Sequence, residues 1–337
     1  MEFLYEYGLF LAKAVTFVVA ALILLGSITA AAGGSRERGQ EHLNVRHLNQ
    51  RYRDMEKTLG EHLKTPRGLG QRLRRLGRKQ DDKKPSPPPD PDRSRIFVLR
   101  FHGDIRASRV ENLREEVSAI LTQARKDLDQ VVVCLESGGG MVPHYGLAAS
   151  QLVRLRDAGL HLTVTVDRVA ASGGYLMAAV AHRIVAAPFA IVGSIGVVAQ
   201  LPNLHRWLKR RDVDVELLTA GEYKRTLTVL GQNTPEGRAK FQQELDEAHA
   251  LFKAFLGRYR PQLHLETVAT GEHWYGEQAL PLNLVDALST SDDELMRLSR
   301  EFDLYEVTYR RKQPLGKRFS GAVDGALDRV MRLLGRT

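Results

Sequence analysis

The heptapeptide Val169-Ala170-Ala171-Ser172-Gly173-Gly174-Tyr175 sets one serine between small residues, where a strand-like run gives way to a helix-like one. Lys224 follows 52 positions later, in the short polar segment Gly221-Glu222-Tyr223-Lys224. A serine becomes a nucleophile when a neighbouring base takes its proton, and this pair suits a hydrolase whose base is lysine rather than histidine. Glycines after the serine let the backbone turn sharply and let a substrate chain come close. A serine at the first turn of a helix also feels the positive end of the macrodipole, which favours a developing alkoxide. Serving as an ordinary N-cap is the commoner job for such a serine, and it stays open at this point.

A second motif, Glu136-Ser137-Gly138-Gly139-Gly140, directly follows the apolar run Val131-Val132-Val133-Cys134-Leu135. Glycines at the carboxyl end of a strand free N–H groups to point into a cleft, where acyl transfer needs donors for an oxyanion. A plain glycine turn competes with that reading. A phosphate cradle does not, because neither G-x-x-x-x-G-K-[ST] nor G-x-G-x-x-G is present. For the base, Lys224 stands out because an uncharged run, residues 226–233, follows it; a lysine acts as a base only when burial lowers its pKa. His182 lies ten residues past Ser172 on the same expected helix, about 15 Å away. His102, His144, His205 and His273 have no local partner in the sequence. The single cysteine, Cys134, sits in an apolar run and reads as a buried small side chain. No His/Cys/Asp/Glu set has metal-ligand spacing, so no metal or organic cofactor is implied.

The elements that must position these groups alternate along the chain. Strands are expected at 96–101, 130–135, 161–166 and 183–186, and helices at 108–126, 145–158, 172–181, 235–260 and 276–288. That alternation argues for an α/β domain with a largely parallel sheet. Upstream, residues 14–34 form a run of 21 uncharged, mostly apolar residues. As a helix it would span about 31 Å, the thickness of a hydrocarbon core, and it is read as a retained single-pass anchor over 9–34. Glu2 and Glu6 stand where a cleaved signal peptide carries positive charge. The net charge of +9 is local: residues 36–84 carry fifteen Lys/Arg against seven Asp/Glu. Residues 35–92 therefore read as a basic spacer ending in the proline-rich linker of residues 83–91, suited to anionic headgroups beside an anchor. Interleaved aromatics for stacking bases are lacking, so no nucleic-acid partner is expected. Residues 93–310 are the expected catalytic domain, and 311–337 a basic tail.

Four motifs in order resemble the signal-peptide-peptidase A family of serine–lysine peptidases (peptidase family S49). They are Ala171-Ser172-Gly173-Gly174-Tyr175, Glu136-Ser137-x-Gly139-Gly140, Val192-Gly193-Ser194-Ile195-Gly196-Val197 and Gly221-x-Tyr223-Lys224. The opening Glu6-Tyr7-Gly8-Leu9-Phe10-Leu11-Ala12-Lys13 and the single anchor look like its SohB branch. The resemblance implies a ClpP/crotonase fold of ββα units after one transmembrane helix. It implies Ser172 as nucleophile, Lys224 as general base, Ser194 as the residue that orients the lysine, and Gly139 and Gly140 at the oxyanion hole. It implies peptide substrates, among them signal-peptide remnants or misfolded envelope polypeptides, and a homo-oligomer in which the lysine can reach a neighbour's serine. A bacterial inner-membrane location follows, with the family suggesting a periplasmic catalytic domain and the basic flank of the anchor a cytoplasmic one. Gly138 departs from the pattern, since the family usually has proline there. Two rivals remain: an acyl-CoA hydratase or isomerase on the same fold, and a non-catalytic oligomeric membrane scaffold.

Overall fold

The computed structural model describes residues 42–63 and 93–310, together with Gly8, Phe10, Lys13, Thr16 and Phe17, which are helical. Apart from Phe10, Lys13, Thr16 and Phe17, the expected anchor over 9–34 lies outside the described residues, as do the proline-rich linker and the basic tail. Among the described residues no helix is long and apolar enough to cross a membrane. Residues 44–308 form one compact unit, and 1–43 with 309–337 are grouped as a second. All the site residues named above belong to the first.

Two adjacent parallel strands, β2 (Arg95–Gly103) and β3 (Gln130–Ser137), form the centre of the main sheet. Their side chains alternate between faces, as the pleat requires. Phe97, Leu99, Phe101, Val131, Val133 and Leu135 enter the larger apolar core; Ile96, Val98, Val132 and Cys134 enter a smaller one. Burial on both faces is why these strands read as continuous apolar runs rather than alternating ones. The smaller core is closed by Leu48 of α1 (Leu48–Leu63) and by Leu295 and Leu298 of α9 (Ser291–Leu298). The larger is covered by α2 (Val110–Gln123) and α3 (Val142–Asp157), with Leu256 from α6 (Pro235–Tyr259).

The main sheet runs β1 (His42–His47), β10 (Asp303–Arg310), β2, β3, β4 (His161–Val166), β6 (Arg183–Ala186), β9 (Ala287–Leu288). Every pairing from β10 to β9 is parallel. A second set of short strands branches off at the carboxyl end of β3. There β5 (Val169–Ala171) pairs Ala170 with Ser137, and its other edge pairs in parallel with β7 (Ile191–Gly193). The antiparallel β8 (His273–Tyr275) completes this set.

The α/β alternation and the four expected strands are present, and β2 and β3 run longer than expected. The helix expected over 276–288 is not continuous: α8 (Gly276–Ala279) stops after one turn, and residues 287–288 are strand. Asn283 turns the chain with φ +59°, and Asp286 then accepts from Ile184 N at 2.7 Å and from the buried Arg260. The spacer also does more than link. Its β1 lies beside β10, and the buried Asn49 donates to the carbonyls of Ser299 and Phe302 while accepting from Leu304 N at 2.7 Å.

Candidate active site

The short strands decide where the chemistry sits. Parallel pairing of β5 with β7 sets Ala171 opposite Gly193, so one further residue along each strand brings Ser172 beside Ser194. Adjacent strands lie about 5 Å apart, and Ser172 N donates to Gly193 O at 2.8 Å, which holds the two exits together. Both serines have φ +52°, a left-handed value costly for any residue but glycine. Strain of that kind persists where the surroundings impose it. Here Ser172 sits at a sharp strand-to-helix turn, with α4 (Gly173–Ala178) beginning at the next residue and Leu176 N closing its first turn on Ser172 O.

Ser172 holds the N-cap position of α4, yet its side chain makes no capping hydrogen bond. It is half-buried, and the hydroxyl is left for other work. The side chain thus does not do the capping job that the heptapeptide left open. Gly139, with φ +85°, lies directly against this turn: a Cβ built there would sit 2.6 Å from Gly173 N and 2.8 Å from both Ala171 O and Ser172 Cβ. Only glycine fits. Gly140 is pressed in the same way against the Ile105 carbonyl, which accepts from Met141 N at 2.9 Å. The Gly139 N–H donates to Ser137 Oγ at 3.0 Å. The first N–H groups of α4 have no partner within the helix, and the Gly173 N–H lies beside Gly139, a donor that the motif did not reveal.

Lys224 is placed differently. It is exposed, and among the described residues nothing hydrogen-bonds or ion-pairs with its ammonium. It belongs to an excursion, residues 205–227, closed at its neck where Asn203 Nδ2 donates to the carbonyls of Thr228 and Gly231 and Leu204 N donates to Val229 O. The excursion carries the short α5 (His205–Lys209), and it exposes Trp207, Val213, Val215, Leu217, Leu218 and Tyr223. The single chain thus brings together Ser172, Ser194, Gly139 and Gly140, and leaves Lys224 on an exposed apolar arm.

The histidines have other work or none. His182 Nδ1 accepts from Leu162 N at 3.0 Å and its ring stacks on His161; burial, then Arg156, holds its pKa low. His273 pairs with Gly193 across β7 and β8, two strands from Ala171. Trp274 packs where a Gly193 side chain would be, which gives the aromatic pair noted in the sequence its role. Cys134 is buried, and burial pushes its thiol pKa up.

The model of the peptidase family S49 N-terminal domain matches residues 2–152, and that of peptidase family S49 matches residues 154–304. The probable protease SohB of Haemophilus influenzae is 46% identical over 327 residues, covering 94% of this chain and 92% of that one. The probable protease SohB of Buchnera aphidicola subsp. Acyrthosiphon pisum is 50% identical over 240 residues, 71% of each chain. Among solved structures, a membrane-bound stomatin-specific protease in complex with a substrate peptide aligns at TM-score 0.35 and 14% identity over 61% of this chain and 80% of that one. That last likeness is too weak to argue from. The two family matches, end to end along the chain, and the long SohB alignments carry the assignment: the chain belongs to peptidase family S49, as a serine-type peptidase of the SohB kind.

Proposed function

We propose that the chain is a membrane-anchored endopeptidase that cleaves peptides through an acyl-enzyme, with Ser172 as nucleophile and Lys224 as general base. The observation that carries this is the uncapped hydroxyl of Ser172 on a strained strand-to-helix turn, walled by glycines that admit no side chain. Ser172 Oγ attacks the scissile carbonyl while a lysine amine takes its proton, later delivering it to the leaving amine. Ser194, beside Ser172 by strand register, orients that amine. The oxyanion is received by backbone N–H groups of the Gly139–Gly140 segment and the start of α4.

The exposed position of Lys224 supports a site completed by a second copy. A lysine base needs to be withdrawn from water, and packing of the apolar arm against a neighbour would do that. The exposed lysine therefore supports a homo-oligomer with the dyad shared between protomers. The strand–strand–helix order of β4, β5 and α4 supports the ClpP/crotonase type of fold. Substrates of the proposed reading are signal-peptide remnants or misfolded envelope polypeptides, reached from an anchor in residues 9–34 of the bacterial inner membrane; no nucleic acid, metal or organic cofactor enters the reaction.

The test is cleavage of casein together with labelling by a fluorophosphonate probe. Ser172→Ala should lose both. Lys224→Ala should lose cleavage, while His273→Ala, which removes the histidine nearest in the sheet, should keep it. Full cleavage by Ser172→Ala would favour the hydratase-type or scaffold rivals, and loss in His273→Ala with retention in Lys224→Ala would move the base to the histidine.

A further inference from the structure

Beneath the glycine loop lies a buried pair of hydroxyls that the reaction above does not use. Ser137, the last residue of β3, is 2% exposed, and Tyr145 on α3 is 0% exposed. Their oxygens are 2.5 Å apart. The direction of that bond follows from counting protons, because each hydroxyl has only one to give. The Tyr145 hydroxyl donates to the Asp104 carbonyl at 2.8 Å, so in their shared bond Ser137 is the donor and Tyr145 the acceptor. Ser137 Oγ then accepts the N–H of Gly139 at 3.0 Å. The result is a single directed chain, from Gly139 N–H through Ser137 and Tyr145 to the carbonyl of Asp104.

The glycine loop, the Asp104 turn and the start of α4 lean on this pair. The Asp104 turn at the far end is fixed by its own carboxylate, which accepts from Arg106 N, Ser108 N and Ser108 Oγ, and the same turn offers the Ile105 carbonyl to Met141 N. A Cβ on Gly103 would strike both the Tyr145 hydroxyl and Ser137 Oγ. A Cβ on Gly173 would strike the Tyr145 ring, and one on Gly174 the Ser137 carbonyl. The residue after the nucleophile therefore rests on the ring of Tyr145, while the glycine loop hangs from its hydroxyl through Ser137.

We propose that Ser137 and Tyr145 are positioning residues, a buried relay that holds the Gly139 peptide so that the Gly140 N–H, not the committed Gly139 N–H, faces the oxyanion. The inference rests on Ser172 being the nucleophile, and it divides the work of the two glycines. Gly139 is the held spacer, and Gly140 the donor. Burial, the largest influence on the Tyr145 hydroxyl, raises its pKa, which keeps the relay neutral across the working pH range.

The experiment compares Tyr145→Phe and Ser137→Ala with the parent in the full-length protein, on a casein-derived quenched peptide that the parent cuts. Each variant should lower kcat roughly tenfold to a hundredfold, as loss of alignment at a reacting centre does, with KM within about twofold. Inhibition by a peptide aldehyde, whose tetrahedral adduct needs the same donors, should weaken by the factor lost in kcat. Ser291→Ala removes another buried hydroxyl, bonded to Asp167 and not to the glycine loop, and should leave kcat and aldehyde inhibition at parent values while lowering the melting temperature comparably. Parent kcat in Tyr145→Phe and Ser137→Ala would overturn the proposal, as would a kcat loss with aldehyde inhibition unchanged. If Tyr145→Phe does not fold, Ser137→Ala decides alone, since it deletes one oxygen and leaves the ring packed. Cleavage surviving in Ser172→Ala would instead remove the nucleophile reading itself, a result that parent activity in the relay variants does not produce.

Discussion

At Gly139 one added methyl group would decide activity. The left-handed φ of +85° and backbone or Ser172 atoms within 2.8 Å leave no room for it. Gly139→Ala should cut turnover by roughly a hundredfold through displaced alignment, and should lower stability by more than about 1 kcal/mol, because alanine resists that φ. Kinetics and chemical denaturation of the same variant check both. Its neighbour behaves oppositely. Gly138 has no atom within 4 Å of a built Cβ and is not left-handed, so Gly138→Ala should fold at least as well as the parent, by up to about 1 kcal/mol, with cleavage retained. Gly138 is thus the one glycine of the three with open space around it.

At the level of elements, the entry to β2 and the exit of α2 are tied by one carboxylate. Asp129 has no exposed side-chain surface and accepts from Arg95 N, the Arg95 guanidinium, Arg125 N and the Arg125 guanidinium. Burial by itself would raise its pKa; the hydrogen bonds from Arg95 and Arg125 outweigh that and hold it well below the usual carboxylate range. A folded-state pKa below the unfolded value of about 3.9 adds stability that is fully present above pH 4 and is lost as the pH falls below it. Asp129→Asn should cost roughly 1.5–3 kcal/mol at neutral pH, the range for hydrogen bonds to a charged group. It should also flatten the acid limb of the stability curve, as urea titrations between pH 3 and 7 would reveal. Unchanged acid sensitivity in the variant would assign that limb to other carboxylates.

For the whole molecule, the exposed position of Lys224 makes assembly part of the proposed reaction. If the dyad is shared between copies, Ser172→Ala and Lys224→Ala, each inactive alone, should recover part of the activity when unfolded together and reassembled. No recovery in mixed particles of the parent size would place the dyad within one chain. Trp207→Glu, on the exposed arm, should shift the protein to smaller species in analytical ultracentrifugation and lower cleavage in step. Cleavage should rise toward alkaline pH as the amine of the dyad loses its proton, and a flat profile from pH 6 to 10 would contradict a lysine base.

The α/β class, the central strands and the order of the motifs were legible in the residues because buried parallel strands and amphipathic helices leave long apolar signatures. The runs at 131–135 and 162–166 are of this kind. The three-residue strands β5, β7 and β8 left no such trace, being too short for any periodicity to register. Yet their pairing is what sets Ser172 beside Ser194. The uncapped serine, the committed N–H of Gly139 and the Ser137–Tyr145 relay belong to the same class of fact. They depend on atoms brought together from residues 103–105, 137–145 and 171–194, and composition and spacing along one segment do not encode distances between segments. The linear chain determined which groups are available for chemistry, and the tertiary packing decided which of them meet.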